Sequence, residues 1–433
     1  MIIEFSVSNF GSIREKQTLS FEATKDTTLA DYYIFEPIPK LRLLKLAMIF
    51  GPNASGKSTV LKALEFLRDL VKKPAQNNSD TISFEPFLLD SDSDDKTSSM
   101  ELSFIQEGVK YRYLLTFNQK YILSEILYHS PNGREGKFFE RETDIENQTV
   151  EIKYSGKEGD SKNRLKLEGL TLWNNTVLGT FSKANIDFKE LKTVYNWFDA
   201  YLMPMVTPKT NLIGWTTHRI DSSEKIKSEV TNLLKYADIQ INDIDISKEE
   251  IELDENQIKS LMESPLGDEL KNKGFLDKKL KQVKTEFSHI GKDRSSNNIS
   301  VLFPQRLESQ GTLRYYGLGG ILATILAEPK FIAIDEFESS LHPDLAQNYI
   351  LRFLVQSKQS QLLVTTHNID FLGEQDVIRR DAVWFTQKNE NGATELYSAA
   401  DFDTSVIRKS SSLLNIYEAG RLGAKPNLGS IFS

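Results

Sequence analysis

LAMIFGPNASGKSTVLKALEFLRDL, residues 46–70, starts as an apolar strand, passes through a glycine loop and leaves as a helix. The five apolar residues Leu46–Phe50 run straight into Gly51. From Lys57 onward Val60, Leu61, Ala63, Leu64, Phe66, Leu67 and Leu70 recur at three- and four-residue spacings, the period of one helix face. The run between them, GPNASGKST, fits the pattern GxxxxGK[ST]. Gly51, Pro52, Asn53, Ala54, Ser55 and Gly56 form a loop whose N–H groups, with the helix N-terminus behind them, can wrap a β-phosphate. Lys57 then brings a positive charge to the β- and γ-phosphates. Ser58 brings a hydroxyl to Mg2+, and Thr59 a hydroxyl to a neighbouring phosphate oxygen. ATP and Mg2+ are the cofactors this pattern predicts.

Two later strands carry the groups such a loop needs. In FIAIDEFESSLHP, 331–343, four apolar residues deliver Asp335 and Glu336 to a strand end. Asp335 suits the magnesium shell. Glu336 suits an attacking water, as general base or as the residue that orients it. Alone, the pair also reads as two solvated acids; beside a phosphate loop the chemical reading prevails. Glu338 has two readings, a group facing the magnesium region or the cap of a turn. QLLVTTHNIDFL, 361–372, repeats the logic and places His367 at a strand exit, where an imidazole can contact the γ-phosphate or the attacking water. His129, His218 and His289 share no metal-ligand spacing and read as structural or solvent-facing. Lys57, Glu336 and His367 are thus the residues expected to carry hydrolysis.

LESQGTLRYYGLGGILATIL, 307–326, puts Ser309, Gln310, Gly311 and Thr312 at a helix start, where hydroxyls and N–H groups can meet an anion. One reading is an ordinary N-cap. The other is contact with ATP bound to a second subunit. The chain has one phosphate loop and one such turn, so a site completed in trans requires two chains around two nucleotides.

Around these motifs, residues 2–9 and 18–22 read as strands joined by a turn near Gly11, and 41–50 as one strand. The helix after Lys57 fades near Lys73 and Pro74. SDSDD, 91–95, reads as a solvated loop. MELSFIQEGVKYRYLLTF, 100–117, predicts two strands turning at Glu107-Gly108, with further strands at 121–129 and 148–154. Helices are expected at 224–234 and 268–287, and 291–300 reads as a loop. The last third reads helix 312–327, strand 330–335, helix 343–356, strand 361–365, then late strands at 382–386 and 394–397.

Composition sets limits. The 433 residues contain no cysteine, which excludes disulfides, cysteine-ligated zinc and a cysteine nucleophile. That fits a reducing cytosol, and the expected localisation is cytoplasmic. No apolar run reaches the roughly 20 residues that cross a bilayer. The longest, Tyr315–Ala327, is broken by Gly317, Gly319 and Gly320 and reads as a buried helix. MIIEFSVSNF lacks the basic and apolar segments of a secretory signal, and no membrane partner is expected. The formal net charge of -8 argues against nonspecific coating of nucleic acid. The basic run Lys271–Lys284 reads as a solvated helix face or as a local contact to nucleic acid.

In their order, these motifs resemble an ATP-binding-cassette (ABC) ATPase of the SMC/RecF-like branch. More narrowly they resemble the AAA15/AAA21 proteins related to OLD-family ATPases, many of them found in abortive-infection and other anti-phage systems. The matching pieces are IIEFSVSNFGSIREKQTLSFEA at 2–23, GPNASGKST at 51–59, SQGT at 309–312, IDEFESSLHP at 334–343, TTHN at 365–368 and the tail YEAGRLGAKPN at 417–427. The resemblance implies an α/β fold, a P-loop NTPase of ABC-ATPase head type with an antiparallel β-subdomain and an inserted helical lobe. It implies a first part of the head over 1–180, a mainly helical lobe over 181–300 and a second part of the head over 301–433. By position, Ser309–Thr312 stands for the signature motif that meets ATP across a dimer interface. Ser339, Ser340 and Leu341 stand for the D-loop, and His367 for the switch histidine. The chain departs from the wider family in lacking LSGGQ, a zinc-hook CxxC and a long coiled coil, and no glutamine is assigned to the Q-loop.

OLD nucleases add a Toprim domain after the head; the stretch beyond His367 is too short for one. The resemblance therefore implies an ATP-binding and ATP-hydrolysing sensor or regulator of anti-phage defence. It would switch by nucleotide-dependent head pairing, as a homodimer or a higher oligomer, control a separately encoded effector, and respond to DNA or a phage-derived trigger. Two alternatives stand beside it: a RecF/SMC-like DNA repair or maintenance ATPase, and a slowly hydrolysing nucleotide-gated scaffold.

Overall fold

The computed structural model describes residues 1–90, 96–156, 160–237, 241–252, 279–402 and 412–426. The chain forms two compact units. The first takes Met1–Thr210, Ile325–Ser339 and Ala346–Ser433; the second takes Asn211–Thr324 and Ser340–Leu345.

At the centre of the first unit is a five-stranded sheet in the order Phe331–Ile334, Gln361–Thr366, Leu46–Phe50, Val383–Lys388, Thr394–Ser398. The first four strands are parallel and the last is antiparallel. Every side chain of Leu46–Phe50 and of Gln361–Thr366 is buried. That is what a strand covered on both faces requires, and it explains the unbroken apolar run Leu46–Phe50 and the apolar centre Leu362–Val364, while the buried Gln361 and Thr365 are met by hydrogen bonds. The register pairs Ile334 with Val364 and Thr366 with Phe50. Parallel neighbours end on the same side, so Asp335, His367 and Gly51 emerge at one edge of the sheet. The sequence 41–50, expected to be one strand, is two. Leu41–Leu44 pairs with Ile34–Ile38, and Leu46–Phe50 enters the central sheet. Lys45 divides them, its buried ammonium donating to the carbonyls of Leu354 and Ser357.

Seven antiparallel strands form the second sheet of this unit, in the order Thr149–Tyr154, Gly136–Asp144, Ile122–Ser130, Val109–Phe117, Ser98–Gln106, Ile2–Ser8, Gln17–Ser20. Alternation sets its inner face: Tyr111, Tyr113, Leu115 and Phe117 are buried, one residue in two. The hairpin turns at Glu107 and Gly108, both at positive φ (51° and 76°), as a two-residue connection demands. Gly136–Asp144 was not expected as a strand. Its sequence, GKFFERETD, is rich in charge, yet Phe138, Phe139 and Arg141 point inward.

The second unit holds helices Leu212–Ser222 and Glu224–Tyr236, the start of helix Gln310–Ala327 and a three-stranded antiparallel sheet, Ile241–Glu252, Lys279–Lys292 and Asn298–Pro304. The helix expected at 268–287 is corrected in part. Residues 268–278 lie outside the described residues, and 279–287 belong to a strand. Thr285 and Phe287 are buried between exposed or half-buried Lys284 and Glu286, the period of two that a half-buried strand requires. The expected loop 291–300 is narrower than read, since strands extend to Lys292 and resume at Asn298. The segment expected as mainly helical therefore carries a sheet as well. The loop reading of 91–95 and most of the basic run from Lys271 lie outside the described residues. Among those described, no helix is long and apolar enough to cross a membrane.

The chain after His367 closes the central sheet. Beyond its two late strands, helix Leu413–Glu418 docks by Tyr417, whose ring stacks on Phe385 at 5.8 Å and whose hydroxyl donates to Ala424 O at 2.8 Å.

Candidate functional site

The strand Leu46–Phe50 ends at Gly51, and the helix Lys57–Lys72 begins six residues later. Two glycines make the connection. Gly51 lies at φ 153°, and a Cβ there would sit 2.5 Å from the Thr386 carbonyl oxygen. Gly56 lies at φ 106°, and a Cβ would run into the Thr394 side chain. The loop is braced by hydroxyls from across the sheet. Ser55 Oγ meets Thr386 Oγ1 at 2.6 Å, and Thr394 Oγ1 donates to Ser55 O at 2.8 Å. Ser12 Oγ lies 2.7 Å from Thr394 Oγ1 and 3.0 Å from Thr59 Oγ1.

Lys57 is buried at the helix start and points back over the loop. Its ammonium donates to Gly51 O at 2.8 Å, to Pro52 O at 3.0 Å and toward His367 Nδ1 at 3.3 Å. Burial lowers its pKa to about 8, against the opposing pull of Asp335, Glu338 and Glu336. His367 is lowered as well, first by burial and then by Lys57, with the same three carboxylates opposing. A lysine donating to Nδ1 leaves the neutral ring's proton on Nε2.

Asp335 is buried, and its Oδ1 accepts from Ser58 Oγ at 2.9 Å and from Thr365 Oγ1 at 2.6 Å. Thr365 Oγ1 in turn accepts from the Glu336 N–H at 2.8 Å. Glu336 lies at φ 46°, an uncommon backbone for a side chain with a Cβ, and its side chain is exposed. Glu338 accepts from the N–H groups of His367 and Asn368 at 2.6 and 3.2 Å, closer to the turn-cap reading than to the magnesium one.

The structure thus gathers Lys57, Ser58, Asp335, Glu336 and His367 at one sheet edge. Ser309–Thr312 belongs to the second unit. There Ser309 Oγ accepts from the Thr312 N–H at 3.0 Å, an N-cap bond, while Ser309 and Gln310 are exposed. Sequence reasoning missed Thr365, Thr386, Thr394 and Ser12. Ser12 and Thr365 lay inside quoted motifs. Thr386 and Thr394 carry no local signal, because their partners stand more than 300 positions away in the chain.

Residues 46–372 match a family described as "AAA domain, putative AbiEii toxin, Type IV TA system". That span is the greater part of the 433 residues. The chain belongs to the AAA_21 family. Its fold class is α/β, a P-loop AAA domain with an antiparallel β-sheet beside the parallel one. No curated protein matches the chain. Solved structures similar to it include three SMC heads. The SmcHead bound to the C-winged helix domain of ScpA is 15% identical, with a TM-score of 0.44 and coverage of 92% of this chain and 97% of that one. The SMC head domain from Thermotoga maritima is 14% identical, with a TM-score of 0.37 and coverage of 92% and 98%. The Smc head domain with an extended coiled coil bound to the C-terminal domain of ScpA derived from Pyrococcus furiosus is 13% identical, with a TM-score of 0.38 and coverage of 98% and 99%.

P-loop ATPases of this kind bind ATP with Mg2+, and the AAA_21 site here fits both. The Lys57 ammonium rests on loop carbonyls beside the strand end, where a triphosphate would offer stronger acceptors. Ser58 Oγ and Asp335 Oδ1 are hard oxygens already in contact. Among the described residues no group of three or more His, Cys, Asp or Glu is assembled for a metal. Were Mg2+ bound with nucleotide, Ser58 and Asp335 would be the side chains to hold it, with phosphate and water as the remaining oxygens.

Proposed function

We propose that this AAA_21 protein is an ATP-hydrolysing switch whose heads pair around nucleotide and which controls a separately encoded effector in anti-phage defence. The observation that carries the hydrolytic part is the shared sheet edge. Lys57 and Ser58 leave one parallel strand, Asp335 and Glu336 a second and His367 a third, and hydrogen bonds already join Ser58 to Asp335 and Lys57 to His367.

In this reading the loop Gly51–Thr59 and Lys57 hold the β- and γ-phosphates, and Ser58 and Asp335 hold Mg2+, whose charge offsets that of the phosphates. Glu336, exposed at the strand end, accepts a proton from the attacking water or orients it. His367 presents Nε2–H toward the γ-phosphate. Ser309, Gln310, Gly311 and Thr312 would complete the site of a second copy, with their N–H groups and hydroxyls toward its γ-phosphate. A homodimer is the smallest assembly that satisfies this arrangement. The defence role draws support from the family's own description, which names an abortive-infection toxin and a toxin–antitoxin system. A DNA or phage-derived trigger and a cytoplasmic site of action belong to the same proposal.

Two variants test it. Lys57→Ala should lose nucleotide binding. Glu336→Gln should keep ATP, lose turnover by about 100-fold or more and accumulate as paired heads in size-exclusion chromatography. Wild-type turnover in Glu336→Gln, or no ATP-dependent pairing, removes the assignment. For the effector, the native complex is purified with ATP and its co-purifying protein identified. Growth arrest on expressing this chain alone would make it the toxin instead of the regulator. Stimulation by DNA ends with no protein partner would favour the repair reading.

A further inference from the structure

Glu338 is a carboxylate with unusual obligations. The turn that carries it is fixed from both sides. Phe337 is fully buried, its ring 5.1 Å from that of Tyr349, and its N–H donates to Thr365 O at 3.1 Å. With Phe337 anchored, the next side chain reaches across to the exit of the neighbouring strand. There one oxygen of Glu338 accepts two consecutive N–H groups, His367 at 2.6 Å and Asn368 at 3.2 Å, the latter shared with Thr366 Oγ1 at 3.0 Å. Its other oxygen is buried and has no hydrogen-bond partner among the described residues. A lone buried carboxylate oxygen is costly, so a purely packing role would be met more cheaply by a neutral side chain.

We propose that Glu338 is a positioning residue for the proposed hydrolysis: it clamps the His367–Asn368 turn and so aims the imidazole at Lys57, without ligating the metal. The two carboxylates differ in which oxygens are occupied. Asp335 Oδ1 is in contact with the Ser58 hydroxyl, as a metal ligand in this class of site would be, whereas Glu338 Oε1 is committed to main-chain donors and its Oε2 is enclosed. The imidazole stands 3.3 Å from the lysine only while its backbone is held at the end of Gln361–Thr366. Asn368 adds a second tie, its Oδ1 accepting from the Asp370 N–H at 3.0 Å, so the carboxylate sets the turn's first two residues and Asn368 its continuation.

The inference depends on the hydrolytic reading only for its kinetic consequence, and the test separates the two. The full chain is compared as wild type, Glu338→Gln and Glu338→Ala. Glutamine keeps an oxygen that can accept both N–H groups; alanine does not. Glu338→Gln should stay within about threefold of the wild-type kcat, while Glu338→Ala should lose at least about tenfold in kcat with KM for MgATP within about threefold. The Mg2+ concentration giving half-maximal turnover should be unchanged in both. In nucleotide-free protein, amide hydrogen exchange at His367, whose N–H has Glu338 as its acceptor, should be slow in wild type and Glu338→Gln and fast in Glu338→Ala; the Asn368 N–H keeps Thr366 Oγ1 and serves as the internal control. Equal losses in the two variants with a raised Mg2+ requirement would make Glu338 a metal ligand and overturn the proposal. Full kcat and a protected His367 amide in Glu338→Ala would also overturn it. If the wild-type protein does not turn over ATP, hydrolysis fails on its own account, and amide exchange still decides what Glu338 does.

Discussion

Lys57 sits on three acceptors of its own chain, and that fixes how the nucleotide-free site responds to pH. Its pKa is lowered to about 8, so the free protein presents a full positive charge below that pH and progressively less above it. A triphosphate favours the charged form, and binding above pH 8 must therefore be accompanied by proton uptake. ATP affinity should be constant from pH 6.5 to about 7.5 and weaken above about 8, by at most roughly tenfold per pH unit. Titration calorimetry in buffers of different ionisation heat measures both effects; an affinity that does not vary up to pH 9.5 would refute the assignment. The sign for folding is separate. Between the folded value and the ordinary lysine range the folded state binds fewer protons than the unfolded one, so this residue's share of stability rises with pH there.

The phosphate loop depends on two strands that its own sequence does not contain. Thr394, from the antiparallel end strand, touches Ser12, the Ser55 carbonyl and the Lys388 ammonium, at 2.7, 2.8 and 3.2 Å. Thr394→Val keeps the shape and removes every one of these bonds. It should cost about 1–3 kcal/mol of stability, because buried partners are left unmet, and should weaken nucleotide binding, whereas Thr394→Ser should be mild. Urea titration and an ATP-binding curve measure the two effects, and a neutral Thr394→Val would show that the brace is idle. The helix after the loop and the acidic strand were legible because each is one uninterrupted pattern, period 3.6 in one case and an apolar run in the other. Strand Gly136–Asp144 was hidden by its charges, and the strand over 279–292 by the lysine-rich run in which it starts.

Across the first unit, the antiparallel sheet is tied to the segment after it by two buried polar side chains, Glu125 and Arg141. Glu125 and Arg141 face each other on adjacent strands and are both fully buried. Glu125 accepts from the Tyr113 hydroxyl at 2.6 Å and from the Val177 N–H at 2.7 Å; Arg141 donates to Trp173 O at 2.8 Å and to Ile122 O. Glu125→Ala leaves the Tyr113 hydroxyl and the Val177 N–H without their buried acceptor and should cost about 1–3 kcal/mol, seen as a shift in the urea midpoint. A midpoint within experimental error of wild type would mean that these two donors find other acceptors. The sequence by itself determined the phosphate loop, the acidic strand end and the strand exit that carries His367, because each is a local pattern that physics confines to few structures. Only the tertiary structure decided that Asp335 shares its oxygen between Ser58 and Thr365, that Ser12, Thr386 and Thr394 brace the loop, and that Glu338 holds the turn behind His367. Those contacts join residues up to several hundred positions apart, and a hydroxyl or carboxylate on its own strand carries no mark of the partner that folding will bring to it.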